Sequence, residues 1–361
     1  AYLHARLMPK LNPFETTRQE LPTIDLSLQP IEIVNTGAYL TGALSSSFLD
    51  YAYSSDIGNR LDDFHSYRGE AKLRVNRPFS IQGLNIAPFG EVREILYSRS
   101  HLNRALQQSL FSWGLDLSTR FVKSTESFKH ALTPYVEYKG LSKPQHPTNE
   151  VFVFSFFDGW HRLNQIRFGA KQQFYFSTPL PLFEFDTYAY AMLGQTPFGE
   201  TIPWIDAKFS LNLDQIRFTS HARWNNKEHS FNFVNSTLAW TLSDSAAFSL
   251  ELRHRSKYQW RSDAHDNFIL NVSYPRDLLL TTPLSDGRNT ILARVQLRPL
   301  PDWILRLALH AGFGRGEREP GYIESKLDLI TQLTSSWNMK LGYMHTVRDD
   351  QFTCSFNLLA F

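Results

Sequence analysis

The residues best suited to chemistry in this chain are its histidines, one donor-rich stretch and one glycine-rich run. Ser262, Asp263, His265, Asp266 and Asn267 bring oxygen and nitrogen donors close together. Their spacing departs from the alternating ligands and central Gly of a calcium loop, so a polar, solvated connection is preferred there to a metal site. Gly312, Gly314 and Gly316 have the composition of a phosphate nest, but no helical pattern follows them, and a flexible outer loop is expected. His221, His254 and His310 fall in different segments, with His254 among apolar neighbours, which reads as separate packed or lumenal histidines. The chain contains no G-x-S-x-G, no H-E-x-x-H and no P-loop. A lone cysteine, Cys354, excludes a disulfide within the chain and a Cys-based zinc site. No catalytic centre, cofactor or metal is therefore expected, and the chain is read as a non-enzyme.

What remains is a set of charges at alternate positions. Glu251, Arg253, Arg255 and Lys257 alternate with Leu250, Leu252 and His254 in a segment that starts at Ala246 and includes Phe248. Arg217 and Arg223 recur in the same way, as do Glu324, Lys326 and Asp328. A period of two places one set on each face of a β-strand. Soluble strands average about 5–6 residues, whereas a tilted strand crossing a bilayer needs about 9–11, and this alternation runs for about a dozen. Arg or Lys against hydrocarbon at mid-membrane costs about 2–4 kcal/mol, so the charged face must meet a wet lumen and the apolar face lipid. Mixed signs suit a lumen that holds a protein plug or passes polar head groups. Pairing between neighbouring strands accounts equally well for any single charge.

Such faces need long strands to carry them. No apolar run approaches the roughly 18–20 residues of a membrane helix, which leaves a closed barrel as the spanning structure. Only 20% of residues are charged and 14% are aromatic, with no linker or charge block to divide the chain, so residues 1–361 are read as one outer-membrane β-barrel domain. A net charge of +2 gives no reason to expect nucleic acid. Alternation recurs through segments that include Arg68–Val75, Leu84–Leu96, Lys129–Tyr138, Ile205–Leu213, Ile216–Arg223, Trp303–Phe313 and Tyr322–Leu333. The fold class expected is all-β, an antiparallel transmembrane barrel of roughly 18–20 strands. Near the start, Pro9, Pro22 and Pro30 each remove a ladder donor, and weak pairing is expected there. Ser98–Ser112, Gly140–Asn149, Gln195–Thr201 and Gly314–Gly321 read as longer connections. Val151–Phe157 reads as a loop folding back or a short strand. Gln259–Asp266 and Pro275–Arg288 are two longer connections in succession, which breaks the alternation of short periplasmic turns with long outer loops.

Several phrases resemble the barrel domain of the LPS-assembly protein family LptD, the organic-solvent-tolerance proteins. They are LPTIDLSLQP at Leu21–Pro30, LFSWGLDLSTRF at Leu110–Phe121, KHALTPYVEY at Lys129–Tyr138 and LLLTTPLSDGRNTILARVQLRPLPDW at Leu278–Trp303. The resemblance implies a barrel that carries lipopolysaccharide through its lumen and releases it into the outer leaflet through a seam between first and last strands. It also implies an LptE-like lipoprotein plug and a periplasmic LptA-like bridge, reached through an N-terminal jellyroll. That jellyroll is not recognisable here and the strand count falls short of the family's, so a fragment or reduced form is expected. The last strand would form one wall of the seam, with Phe352, Cys354, Phe356 and Leu358 as its apolar set and Asn357 on the opposite face. Phe361 resembles the terminal aromatic read by barrel-assembly machinery, although a bulge near Leu358 is needed to put it in phase. The other readings are a general diffusion porin or another outer-membrane channel, and more distantly an outer-membrane lipase.

Overall fold

The computed structural model describes residues 1–10, 17–52, 64–100, 103–146, 150, 158, 160, 162–176, 180–194, 200–255, 288–314, 321–334, 337–347 and 349–358. They form one sheet of 20 strands. The first ten are β1 (Tyr2–Met8), β2 (Thr17–Ile33), β3 (Ala38–Ala52), β4 (Phe64–Asn76), β5 (Phe79–Ile81), β6 (Leu84–Tyr97), β7 (Leu106–Thr119), β8 (Phe121–Ser124), β9 (Lys129–Leu141) and β10 (Leu163–Tyr175). The remainder are β11 (Phe183–Met192), β12 (Trp204–Asn212), β13 (Ile216–Asn225), β14 (Ser230–Ser243), β15 (Ala246–Arg255), β16 (Arg288–Leu300), β17 (Trp303–Phe313), β18 (Tyr322–Gln332), β19 (Trp337–His345) and β20 (Asp350–Leu358). Short β5 and β8 continue β4 and β7 after brief interruptions at Arg77–Pro78 and Arg120, which leaves eighteen wall strands.

Each wall strand pairs antiparallel with the next in sequence, from β1 against β2 to β19 against β20. Side chains on consecutive residues therefore point to opposite faces. Two adjacent rows show the result. Trp240, Phe248, Val295, Leu307, Leu327, Tyr343 and Phe352 lie opposite one another across seven strands. One residue away, Arg217, Ala239, Ser249, Arg294, Ala308 and Lys326 form a row of charged and small residues. The apolar face is uncovered, with Leu73, Val92, Phe111, Leu252, Leu307 and Phe356 all exposed. The face that buries its side chains buries charge, including Glu20, Glu91, Arg93, Asp206, Arg223 and Asp328. A soluble protein has the opposite arrangement. Apolar residues outward over many strands and charges inward are what a bilayer selects, and they define an outer-membrane β-barrel.

The early strands are better paired than their prolines suggest. β2 and β3 form a long ladder, and its two register shifts, at Glu20/Thr23 and Leu28/Ile31, bracket Pro22 and Pro30. Each missing donor is absorbed by a local irregularity, and pairing resumes beyond it. β15 pairs directly with β16, while the successive longer connections expected at Gln259–Asp266 and Pro275–Arg288 lie, but for Arg288, outside the described residues. The short turns 34–37, 82–83, 244–245 and 301–302 lie at one rim, and the strand ends Ala52, Phe64, Leu141, Leu163, Met192, Trp204, Arg255 and Arg288 lie at the other. β7 begins at Leu106, so the connection placed at Ser98–Ser112 is shorter than expected, and β9 extends to Leu141 into the segment read as loop. Val151–Phe157 lies outside the described residues, as does the donor-rich stretch Ser262–Asn267. Among the described residues no group of His, Cys, Asp or Glu is placed to hold a metal.

Candidate functional site

The candidate site is the inner wall, and its charges are distributed unevenly. From β1 to β6 they are densely paired. Glu20, buried on β2, takes Arg6 at 2.6 Å and Arg18 at 2.9 Å. Arg68 on β4 reaches Glu70 on its own strand at 2.6 Å, and Arg93 on β6 lies 3.2 Å from Glu91, with Lys72 3.4 Å from the same carboxylate. These side chains meet because the β4–β6 register sets Lys72 opposite Arg93 and Glu70 opposite Ile95, so charges at every second residue stack across neighbouring strands. A cavity of about 260 Å³ opens on this wall, lined by Arg6, Glu20, Arg68, Glu70, Arg93 and Asp158 among others.

Asp158 and Trp160 reach this wall from the β9–β10 connection. The Asp158 carboxylate accepts Arg68 Nε at 2.9 Å and Nη2 at 2.7 Å, and also the Tyr97 hydroxyl. Trp160 lies under the Arg93 guanidinium, 4.7 Å from ring centroid to Cζ. It packs in an apolar cluster with Ile95, Tyr97, Leu106, Leu141, Leu163 and Met192, residues at the strand ends nearest the longer connections. Asp158 and Trp160 are thus held at the inner mouth, one by a bidentate ion pair and the other as a buried ring.

On β12 and β13, Asp206 is fully buried and Arg223 is 1% exposed. Asp206 Oδ2 accepts Arg223 Nε at 3.0 Å, its Oδ1 accepts Nη2 at 3.1 Å, and His221 Nε2 lies 3.0 Å from Oδ1. The Arg223 guanidinium also sits between the rings of Trp204, at 5.0 Å, and Phe233, at 5.4 Å. Farther round, Arg253 Nη2 lies 2.5 Å from Glu251, His310 lies 3.4 Å from Glu324, and Asp328 takes Lys340 at 3.3 Å and Lys326 at 3.8 Å.

The expected lumenal charges Arg217, Arg223, Glu251, Arg253, Arg255, Glu324, Lys326 and Asp328 all fall on the inner face by strand register. Lys257 and Phe361 lie outside the described residues. Of the candidate seam residues, Phe352, Cys354 and Phe356 share the outer face, opposite Tyr343, Leu341 and Met339, while Asn357 faces inward opposite Asn338. Leu358 pairs with Trp337 at the end of the strand. His254 belongs to the outer set, as its sequence neighbours imply, and its Nδ1 lies 2.8 Å from the Asn289 amide oxygen. Among the described residues no ladder joins β1 to β20.

Sequence reading missed Glu20, Asp158, Trp160 and Asp206 as members of the site. Asp206 carried the alternating signal, but its burial depends on Arg223 opposite. Asp158 and Trp160 sit in a connection with no period to place them.

No family model matches the chain, and no curated protein matches it. Solved structures give matches. A mutant of the Rhodopseudomonas blastica porin is 10% identical, with 88% of this chain and 98% of that chain covered and a TM-score of 0.33. The siderophore receptor PirA from Pseudomonas aeruginosa is 7% identical, with 99% of this chain and 68% of that chain covered and a TM-score of 0.39. The fold assignment rests on the pairing and the two faces of this sheet, which make the chain an outer-membrane β-barrel.

Proposed function

We propose that this chain is an outer-membrane passage for polar, charged solutes. The observation that carries the reading is a charged inner wall on eighteen wall strands among the described residues. Barrels of about eight strands fill with side chains, whereas about 16–18 strands leave an aqueous channel. A wall bearing Arg217, Lys208, Arg294 and Arg306 suits water and ions and disfavours a dry core. Planar-bilayer recording tests this. Steady, large conductance from the purified chain alone supports it, and the absence of conductance from correctly folded barrels overturns it.

A second reading is favoured by one specific observation, the lack of a ladder between β1 and β20 among the described residues. Both strands carry apolar residues outward, Leu3 and Leu7 on β1 and Phe352 and Phe356 on β20, and polar residues inward, His4 and Arg6 on β1 and Thr353 and Asn357 on β20. An edge of this kind supports a lateral exit for lipopolysaccharide, as in the LptD family, with an LptE-like lipoprotein in the lumen and an LptA-like bridge supplying lipid from the periplasm. The test is a crosslink between Tyr2→Cys and Asn357→Cys, both inward near one rim, in a Cys354→Ser background. Folded, crosslinked barrels that stop delivering lipopolysaccharide to the surface support a lateral exit. Undiminished delivery sinks it.

A further inference from the structure

We propose that Arg217, Arg294 and Arg306 form an oxyanion track along the inner wall from β13 to β17, which selects phosphate- or carboxylate-bearing solutes. The proposal deepens the passage reading and rests on it.

All three arginines are exposed on the inner face. Arg217 and Arg294 share one row, joined through Ala239 and Ser249. They are three strands apart, which is about 14 Å at the usual strand spacing. Ala308 stands opposite Arg294, and Arg306 is two residues farther along β17. That diagonal relation puts the two backbones about 7–8 Å apart, within reach of two long side chains converging on one anion. Ala239, Ser249 and Ala308 are the small neighbours between them, which leaves the wall open around the guanidinium groups.

These arginines also differ in their partners. Arg68, Arg93 and Arg223 each hold a carboxylate. Arg217, Arg294 and Arg306 have no carboxylate partner among the described residues, and Arg306 donates to the neutral Gln296 amide oxygen at 3.1 Å. Two acids on the neighbouring strands are engaged elsewhere. Glu251 binds Arg253, and Asp328, directly opposite Arg306, takes Lys340 and Lys326. None of the three is held in an ion pair by a described wall residue, so their guanidinium groups are available to a mobile anion. A guanidinium presents paired donors that match the oxygens of carboxylate or phosphate, which gives the track a chemical preference beyond charge.

The experiment uses the whole chain refolded into planar bilayers, with reversal potentials measured across a KCl gradient. The expected result is a chloride-to-potassium permeability ratio above one. Each of Arg217→Gln, Arg294→Gln and Arg306→Gln should lower that ratio by about threefold at low salt and less at high salt. In parallel, inorganic pyrophosphate and detergent-dispersed phosphatidic acid are titrated into the folded barrel in detergent. Binding of either probe that weakens severalfold in the triple variant supports the track, and the probe that binds distinguishes a free phosphate from a lipid headgroup. A conducting wild-type barrel that prefers cations or shows no preference overturns the track and leaves the passage standing. A barrel that does not conduct, yet loses pyrophosphate binding in the triple variant, keeps the track and removes the passage. Pyrophosphate binding unchanged in the triple variant of a non-conducting barrel overturns both.

Discussion

Replacing Asp206 with Ala isolates what a buried ion pair contributes to this barrel. Asp206 has no exposed surface and Arg223 is 1% exposed. The substitution takes the Asp206 carboxylate away from the guanidinium, and breaking a buried pair in this way costs about 3–5 kcal/mol. The Trp204 and Phe233 rings remain beside Arg223 and return about 0.5–2 kcal/mol at most, an attraction already present in the wild type and so unable to offset the loss. His221 also loses a partner, but its side chain is 31% exposed and water replaces the contact at a cost of about 0–1 kcal/mol. The expected destabilisation is therefore about 3–5 kcal/mol, dominated by Arg223. The double variant Asp206→Ala/Arg223→Met removes both buried charges and places an apolar chain between the same two rings. It should return to within about 1–2 kcal/mol of the wild type. Equilibrium urea unfolding in phospholipid vesicles, followed by tryptophan fluorescence, measures all three proteins. A loss below about 1 kcal/mol for Asp206→Ala, or a double variant as unstable as the single, would refute the reasoning.

Three further perturbations probe the wall. Leu250→Arg puts a charge on the outer face beside Leu238 and Ala293, and should cost about 2–4 kcal/mol and impair membrane assembly far more than Arg253→Leu does; equal tolerance in a heat-modifiable mobility assay would count against the assigned faces. Gly140→Val drives a side chain into the Trp113 ring that lies across the glycine, and should cost about 1–3 kcal/mol, with much of it recovered by adding Trp113→Ala. Denaturant midpoints of the single and double variants check this, and non-recovery would refute the ring's role. Arg68→Met removes the bidentate partner of Asp158 and should free Trp160 from the mouth, seen as a red-shifted emission and faster iodide quenching than in the wild type. Unchanged quenching would show that the ring holds the connection without the ion pair.

Much of the fold was legible because a barrel strand has two solvents, one on each side, and writes both into its sequence. The run from Ala246 to Arg255 assigns Phe248, Leu250 and Leu252 to lipid and Glu251 and Arg253 to the lumen, and the register of β15 against β14 and β16 places them so. Tight hairpins such as the one between β14 and β15 were equally plain, because polar residues interrupt the alternation there. Proline misled at β2, where loss of a donor read as weak pairing. A ladder tolerates a missing bond when the register shifts around it, and only the partner strand reveals that shift.

The sequence by itself determined the strand faces and therefore the environment of the chain, since alternation depends only on neighbours within one strand. Tertiary structure alone decided which charges are neutralised. Arg223 and Arg217 look alike along β13, yet one faces Asp206 across the ladder and is buried, while the other pairs with Ala239 and Asn212 and keeps its charge in the lumen. Charge pairing is set by cross-strand register, which joins residues far apart in sequence, and a period-two pattern has no information about its partner's phase. The same holds for Asp158 and Trp160, placed in the mouth by Arg68 and by a collar of apolar residues from neighbouring strand ends.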